Sequence, residues 1–332
     1  MNIRGLLRSA SGIAAGLLIV GSTVLAAPLK VAYSDWPGWT AFAIAEQKGW
    51  FKQAGVEVEL LWFEYGPSME AFSAAKVDAV MVTNGDSLVT GAAGAKNVVV
   101  LVTDYSNGND MVVARPGIDS LASLKGKKIG VEVGLVDHLL LLNGLKKAGL
   151  SEADVTLVPT PTNQAPQVLA SGQVDAIAAW QPNSGAALKA VPGAKAVYTS
   201  ADEPGLIYDT VAVSPQSLAT RRADWAKFVS VWERIITFLS DPATHDEGVR
   251  IMAAKAGVDP KEYEAFMGGT KLLSLAQSLR ILTNKADSFG SLNGSSKVAD
   301  EFNVKNAVYA QPQDIPSYVD TGVTAEAMKS LK

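Results

Sequence analysis

The chain has 332 residues, 48% of them hydrophobic, with no cysteine, two histidines and a formal net charge of −4. The absence of cysteine excludes disulfides, thiol catalysis and thiolate metal sites, so the fold must rest on its apolar core. Only His138 and His245 are present, which excludes a histidine-rich metal site. The mild acidity and the lack of a basic stripe argue against nucleic acid. No cofactor is expected.

Arg4 and Arg8 precede an apolar run from Ile13 to about Leu25, and Val24-Leu25-Ala26 places small residues at its end. This is the pattern of a secretory signal cleaved after Ala26. The run is short for a membrane span and is interrupted by Gly16 and Gly21. Residues 1–26 are therefore expected to be a signal peptide, and the mature chain a soluble periplasmic protein. There is no lipobox cysteine, so no lipid anchor is expected.

The strand L-K-V-A-Y (29–33) leads into the turn S-D-W-P-G-W (34–39) and a helical pattern from near Thr40. A second strand follows in A-G-V-E-V-E-L-L, a helix in M-E-A-F-S-A-A-K and a third strand in K-V-D-A-V-M-V-T-N-G-D-S. Residues 127–184 repeat this plan: K-K-I-G-V, helix, A-D-V-T-L-V, helix, then Q-V-D-A-I-A-A-W-Q-P-N-S. Each segment reads as a β-α-β-α-β unit, which builds a parallel sheet with helices on both faces. Joining strands are predicted near Asn107–Ala114 and Ile207–Ser214. Beyond about Trp225 apolar residues recur at helical spacing, and this part is expected to return to the first unit.

The fold class predicted is α/β: two lobes, each a parallel-rich sheet flanked by helices, with a ligand cleft between them. Lobe 1 is expected to comprise 27–108 and 210–332, and lobe 2 109–209. Ligands of open parallel sheets lie beyond the carboxyl ends of the strands. Those ends are the turns 34–39, 64–68, 83–87, 132–138, 160–164 and 180–184.

The two α/β units, the leader and the run A-I-A-E-Q-K-G-W-F-K-Q-A-G-V-E-V-E resemble the periplasmic solute-binding proteins of ABC importers, in the nitrate-, taurine- and aliphatic sulfonate-binding branch. More narrowly, T-N-G-D-S, D-Y-S-N-G-N-D, V-D-H-L-L-L and A-W-Q-P-N-S-G resemble the urea carboxylase-associated proteins of urea or guanidine metabolism. The resemblance implies the type II-like binding-protein fold, a monomer without catalytic activity, and as partners a small ligand, a membrane-embedded permease and its ATPase.

The cleft turns, with the crossing segments 104–110 and 207–210, contain Asp35, Glu64, Asp86, Asp104, Asp110, Glu132, Asp137 and Asp209, and no lysine or arginine. A sulfonate or nitrate would call for an Arg fork, Lys, hydroxyls or helix N-termini. Carboxylates with aromatic faces suit a cation instead. The ligand-binding candidates are Trp36, Trp39, Asn84, Asp86, Asp110, Glu132, Asp137, His138, Trp180, Asn183 and Asp209. Against these stand structural readings. Asp35 and Asp137 sit where helix caps sit, Glu64 precedes a Gly-Pro turn and is solvated, and His138 is a lip residue. Asp78 and Asp175 recur in the two V-D-A motifs and are assigned to the helix–strand turn. Trp50 and Trp62 are assigned to packing.

Three ligand classes follow in order: guanidinium, urea, then a sulfonate, taurine or nitrate-type anion. An enzyme resembling the thiamin pyrimidine precursor synthases is the alternative from another class. Those enzymes draw on cysteines, which this sequence lacks. A sensor domain for a membrane receptor is the third reading.

Overall fold

The computed structural model describes residues 27–331, and the signal-peptide expectation lies outside the described residues. Its strands are β1 (Leu29–Tyr33), β2 (Val58–Trp62), β3 (Ala79–Thr83), β4 (Val98–Ser106), β5 (Met111–Ala114), β6 (Lys128–Val131), β7 (Thr156–Pro159), β8 (Ala176–Ala179), β9 (Lys195–Thr199), β10 (Tyr208–Val213) and β11 (Thr270–Leu272). They form two sheets, ordered β11-β4-β10-β3-β1-β2 and β7-β6-β8-β5-β9.

The internal repeat is visible in these orders. β2-β1-β3 matches β7-β6-β8, and all of these pairs are parallel. Next to each trio lies one antiparallel strand contributed by the other half of the chain. β10 pairs with β3 after the chain returns from the second sheet, and β5 pairs with β8 after it leaves the first. The sheets are therefore mixed, because a strand arriving directly from the opposite lobe runs against its neighbours.

The V-D-A aspartates explain part of the repeat. Asp78 accepts the Lys30 N–H at 2.9 Å and its own N–H donates to the Lys30 carbonyl at 2.8 Å. Asp175 does the same with Lys128, at 2.9 and 2.8 Å. Each ties the start of a third strand to the start of a first strand.

One predicted joining strand is displaced. The expected Asn107–Ala114 strand is two strands, β4 and β5, with the crossing between them at 107–110. The run V-V-V-L-V at 98–102 is the start of a nine-residue strand paired on both edges. Tyr208 and Asp209 stand in β10, within the first sheet.

The two crossings lie side by side. Ser106 Oγ and Ser200 Oγ are 2.6 Å apart, and the Gly108 N–H donates to Ser200 Oγ at 2.7 Å. The 26-residue helix Pro215–Ser240 then packs Trp225, Phe228 and Trp232 against the first lobe, with Phe228 stacked on both Phe42 and Phe51. Trp50 packs edge-on to Phe238, and Trp62, 42% exposed, packs edge-on to Tyr33. No helix among the described residues is long and apolar enough to cross a membrane.

Candidate functional site

The S-D-W-P-G-W turn enters the cleft because of its backbone. Pro37 opens the short helix Pro37–Thr40 with its φ already suited to a helix. This leaves Trp36 at the end of the extended segment and Trp39 one turn on, with ring centroids 6.5 Å apart. Trp36 donates from Nε1 to Asp104 Oδ1 at 2.9 Å. Gly38 is required between them: a Cβ there would lie 1.8 Å from Asp104 Oδ2.

Trp39 stacks on Tyr65 at 5.6 Å and 17°, and Tyr65 meets Trp180 of the second lobe edge-on at 5.0 Å. Trp36, Trp39, Tyr65 and Trp180 thus wall a small cavity of ≈ 10 Å³ between the lobes, with Asp110, Asp209, Thr83 and Val136 completing its lining. The volume is at the scale of a single water site. Tyr65 and Trp180 also border a wider pocket of ≈ 350 Å³ at the mouth, where Asp35, Glu64, Glu132 and Asn183 lie.

Five aspartates surround the inner cavity: Asp86, Asp104, Asp110, Asp137 and Asp209, each no more than 3% exposed. Among the described residues no lysine or arginine is buried. Asp86 accepts from the Tyr65 hydroxyl at 2.7 Å and, across the cleft, from the Val136 N–H at 3.2 Å. Asp104 holds Trp36 and accepts from Thr103 Oγ at 2.8 Å. Asp110 and Asp209 each leave Oδ2 buried and without a partner, and Asp137 leaves both oxygens so.

Burial dominates their titration. It raises Asp86 and Asp104 to about 6 and Asp110 to about 7, against hydrogen bonds that pull the other way. Asp137 and Asp209 lie well above the ordinary carboxylate range, first from burial and then from the neighbouring carboxylates. At the mouth, burial raises Asp35 to about 6 and Glu132 to about 7.

The structure therefore brings Trp36, Trp39, Asp110, Trp180 and Asp209 around one cavity, with Asp86 and Asp137 directly behind its wall. Glu132 and Asn183 belong to the mouth. Two candidates lie elsewhere. Asn84 is fully engaged within the protein: Nδ2 donates to Ser295 and Ser296 at 2.9 and 3.1 Å, and Oδ1 accepts from the Tyr208 N–H at 3.0 Å. His138 accepts from the Gly134 N–H at 3.1 Å and turns toward Glu152 and Phe302.

Neither expected cap is one. Asp35 accepts from Trp180 Nε1 at 3.2 Å and Asn183 Nδ2 at 3.1 Å, bridging the lobes. Asp137 lies inside the helix Val136–Lys147, whose N-cap is Leu135. Glu64 is exposed. Tyr65 was missed as a candidate. It stands in the strand-end turn 64–68, and the rule that selected Trp36 and Trp39 would have found it.

A two-lobed α/β architecture with a cavity between the lobes is the fold of periplasmic solute-binding proteins. The periplasmic aliphatic sulphonate-binding protein SsuA of Escherichia coli matches with a TM-score of 0.72 and 18% identity, over 88% of this chain and 92% of that one. The periplasmic nitrate-binding protein NrtA of Synechocystis PCC 6803 matches with a TM-score of 0.73 and 11% identity, over 92% and 89%. A protein of Brucella abortus (strain 2308) named as a binding protein is 28% identical over 280 residues, 83% of this chain and 85% of its own length. The chain belongs to the NMT1/THI5 like family, which matches residues 36–245.

Proposed function

We propose that this protein is the periplasmic solute-binding component of an ABC importer, and that its ligand is guanidinium. Its relatives named for binding, and the sulfonate- and nitrate-binding structures that share its fold, support the solute-binding role. In that role the lobes close on the ligand about the paired crossings, and the closed form is presented to a membrane permease and its ATPase.

One observation carries the choice of ligand. The buried Asp110 and Asp209 face a cavity walled by indole and phenol rings, each with an unpartnered carboxylate oxygen, and among the described residues no buried lysine or arginine balances them. An unpaired buried carboxylate is costly, and a cationic ligand offsets that cost. Guanidinium is planar, donates hydrogen bonds around its edge and presents its face to aromatic rings. Urea has the same shape without the charge and ranks second; a sulfonate, taurine or nitrate anion would meet the carboxyl groups of Asp110 and Asp209 and ranks third.

The test is calorimetric titration of the ligand-stripped protein with guanidinium, urea and taurine at low ionic strength. Guanidinium is expected to bind most tightly. Asp209→Asn should weaken it about tenfold to a hundredfold, as loss of a hydrogen bond to a charged group does. Taurine binding without a response to guanidinium would overturn the assignment.

A further inference from the structure

We propose that the proton is a second ligand of the closed cavity: closing the lobes over one guanidinium also takes up protons onto the buried aspartates, chiefly Asp137. The inference rests on the guanidinium reading and concerns how that site balances its charge.

The argument is one of counting. Asp86, Asp104, Asp110, Asp137 and Asp209 are all buried around the cavity, and one monovalent cation can neutralise one of them. No lysine or arginine is buried among the described residues to neutralise the rest. Carboxylates left ionised and unpaired there would carry a prohibitive desolvation cost, and such groups bind a proton instead.

Asp137 is the clearest case. It is 0% exposed, both its oxygens lack a partner, and it does not line the cavity, so the cation does not reach it directly. The groups that face it are all acidic: Asp110 from the crossing, Glu132 from the end of β6, and Asp86 from the first-lobe helix Asn84–Ala92. His138 beside it points away, to Glu152 and Phe302. Around Asp209 stand Asp104 on β4, Asp110 and Asp86. The hydroxyl of Tyr65 is committed to Asp86 and the indole N–H of Trp36 to Asp104. Tyr263, from the helix Pro260–Gly268, faces Asp35 and Asp104 and adds no positive charge.

Part of this burial exists only with the lobes together. Asp86 accepts from Val136 of the second lobe, and Asp35 accepts from Trp180 and Asn183 across the cleft. With the lobes apart these carboxylates meet water and ionise. With the lobes closed, burial raises Asp86 and Asp35 to about 6, and Asp137 and Asp209, which the same acids surround, well above the ordinary carboxylate range, so these two are the ones that hold protons near neutral pH. Closure is therefore a proton-binding step, and the cation satisfies only the carboxylates it touches.

The experiment is calorimetry of guanidinium binding near neutral pH in two buffers of unlike ionisation enthalpy. The dependence of the observed heat on buffer gives the protons exchanged. Uptake of about one proton or more is expected, with Kd rising about tenfold per pH unit for each proton linked. A buffer-independent heat, or net release of protons, overturns the inference while leaving guanidinium binding intact. No binding of guanidinium at all overturns the functional reading instead. Asp137→Asn supplies a neutral side chain of the same shape. Its binding should take up fewer protons and weaken less as pH rises, and a proton count equal to the wild type overturns the assignment to Asp137. Should that variant fail to fold, the wild-type count still decides, and Asp104→Asn provides the second comparison.

Discussion

Gly38 shapes the site through the space it leaves for Asp104. The Asp104 carboxylate fills the space where its Cβ would stand, and that carboxylate anchors Trp36 and accepts from Thr103. Gly38→Ala must therefore displace Asp104 or the helix Pro37–Thr40. Overpacking of this kind costs about 1–3 kcal/mol. We expect a lower melting temperature and loss of most ligand affinity. In an Asp104→Ala background the carboxyl group that the added methyl would meet is gone, so the same substitution should cost much less, and a double-mutant cycle measures the coupling. Equal costs in both backgrounds would show that the contact does not govern the turn. The tryptophans and acids were legible because strand-end turns in α/β sheets point into clefts. Asn84 sits on such a turn too, yet its amide is engaged by Ser295 and Ser296, about two hundred residues away, and no local pattern announces that. His138 was misplaced for a helical reason: successive residues point about 100° apart, so it faces away from the acids around Asp137.

Among the elements, the V-D-A strands separate structural acids from cleft acids. Asp78 and Asp175 close equivalent backbone pairs at the strand ends opposite the cleft. Asp78→Ala or Asp175→Ala should remove one hydrogen bond, lowering stability by about 1 kcal/mol in thermal or denaturant unfolding while Kd for guanidinium stays the same. A changed Kd would place these acids in the binding apparatus. The paired β-α-β-α-β units could be read from the sequence because their apolar runs and turns recur in the same order. The crossings could not be placed as well. β4 and β5 follow one another with only Asn107–Asp110 between them, and the serine contacts that hold this segment to Ser200 come from the second crossing, about ninety residues later. β9 and β11 are short edge strands whose pairing depends on the sheets they complete, so neither their length nor their composition marks them.

For the whole molecule, the acids between the lobes tie conformation to pH. Burial raises Asp86 and Asp104 to about 6, Asp110 to about 7, and Asp137 and Asp209 further. A carboxyl raised in the closed form means that this form binds more protons than the open or unfolded chain. Its contribution to stability is present below the ordinary carboxylate value near 4 and is lost as pH rises through about 7. The ion-paired Asp320, held low by Arg222, acts in the opposite sense and only in acid below that window. Opening the cleft offers the acids water without unfolding. The polar contacts between the lobes include Asp35 with Trp180 and Asn183, Val136 with Asp86 and the Lys189–Glu262 ion pair, and the ring contacts Tyr65–Trp180 and His138–Phe302 add to them; opening competes with these. Ligand-free protein should thus shift toward the open form as pH rises from mildly acidic to mildly alkaline. Small-angle X-ray scattering should show a larger radius of gyration at the alkaline end, and guanidinium at saturating concentration should restore the compact value there, because closing over the cation draws protons in with it. A radius of gyration that ignores pH, with guanidinium bound or absent, would mean that the buried aspartates do not set the balance between the lobes.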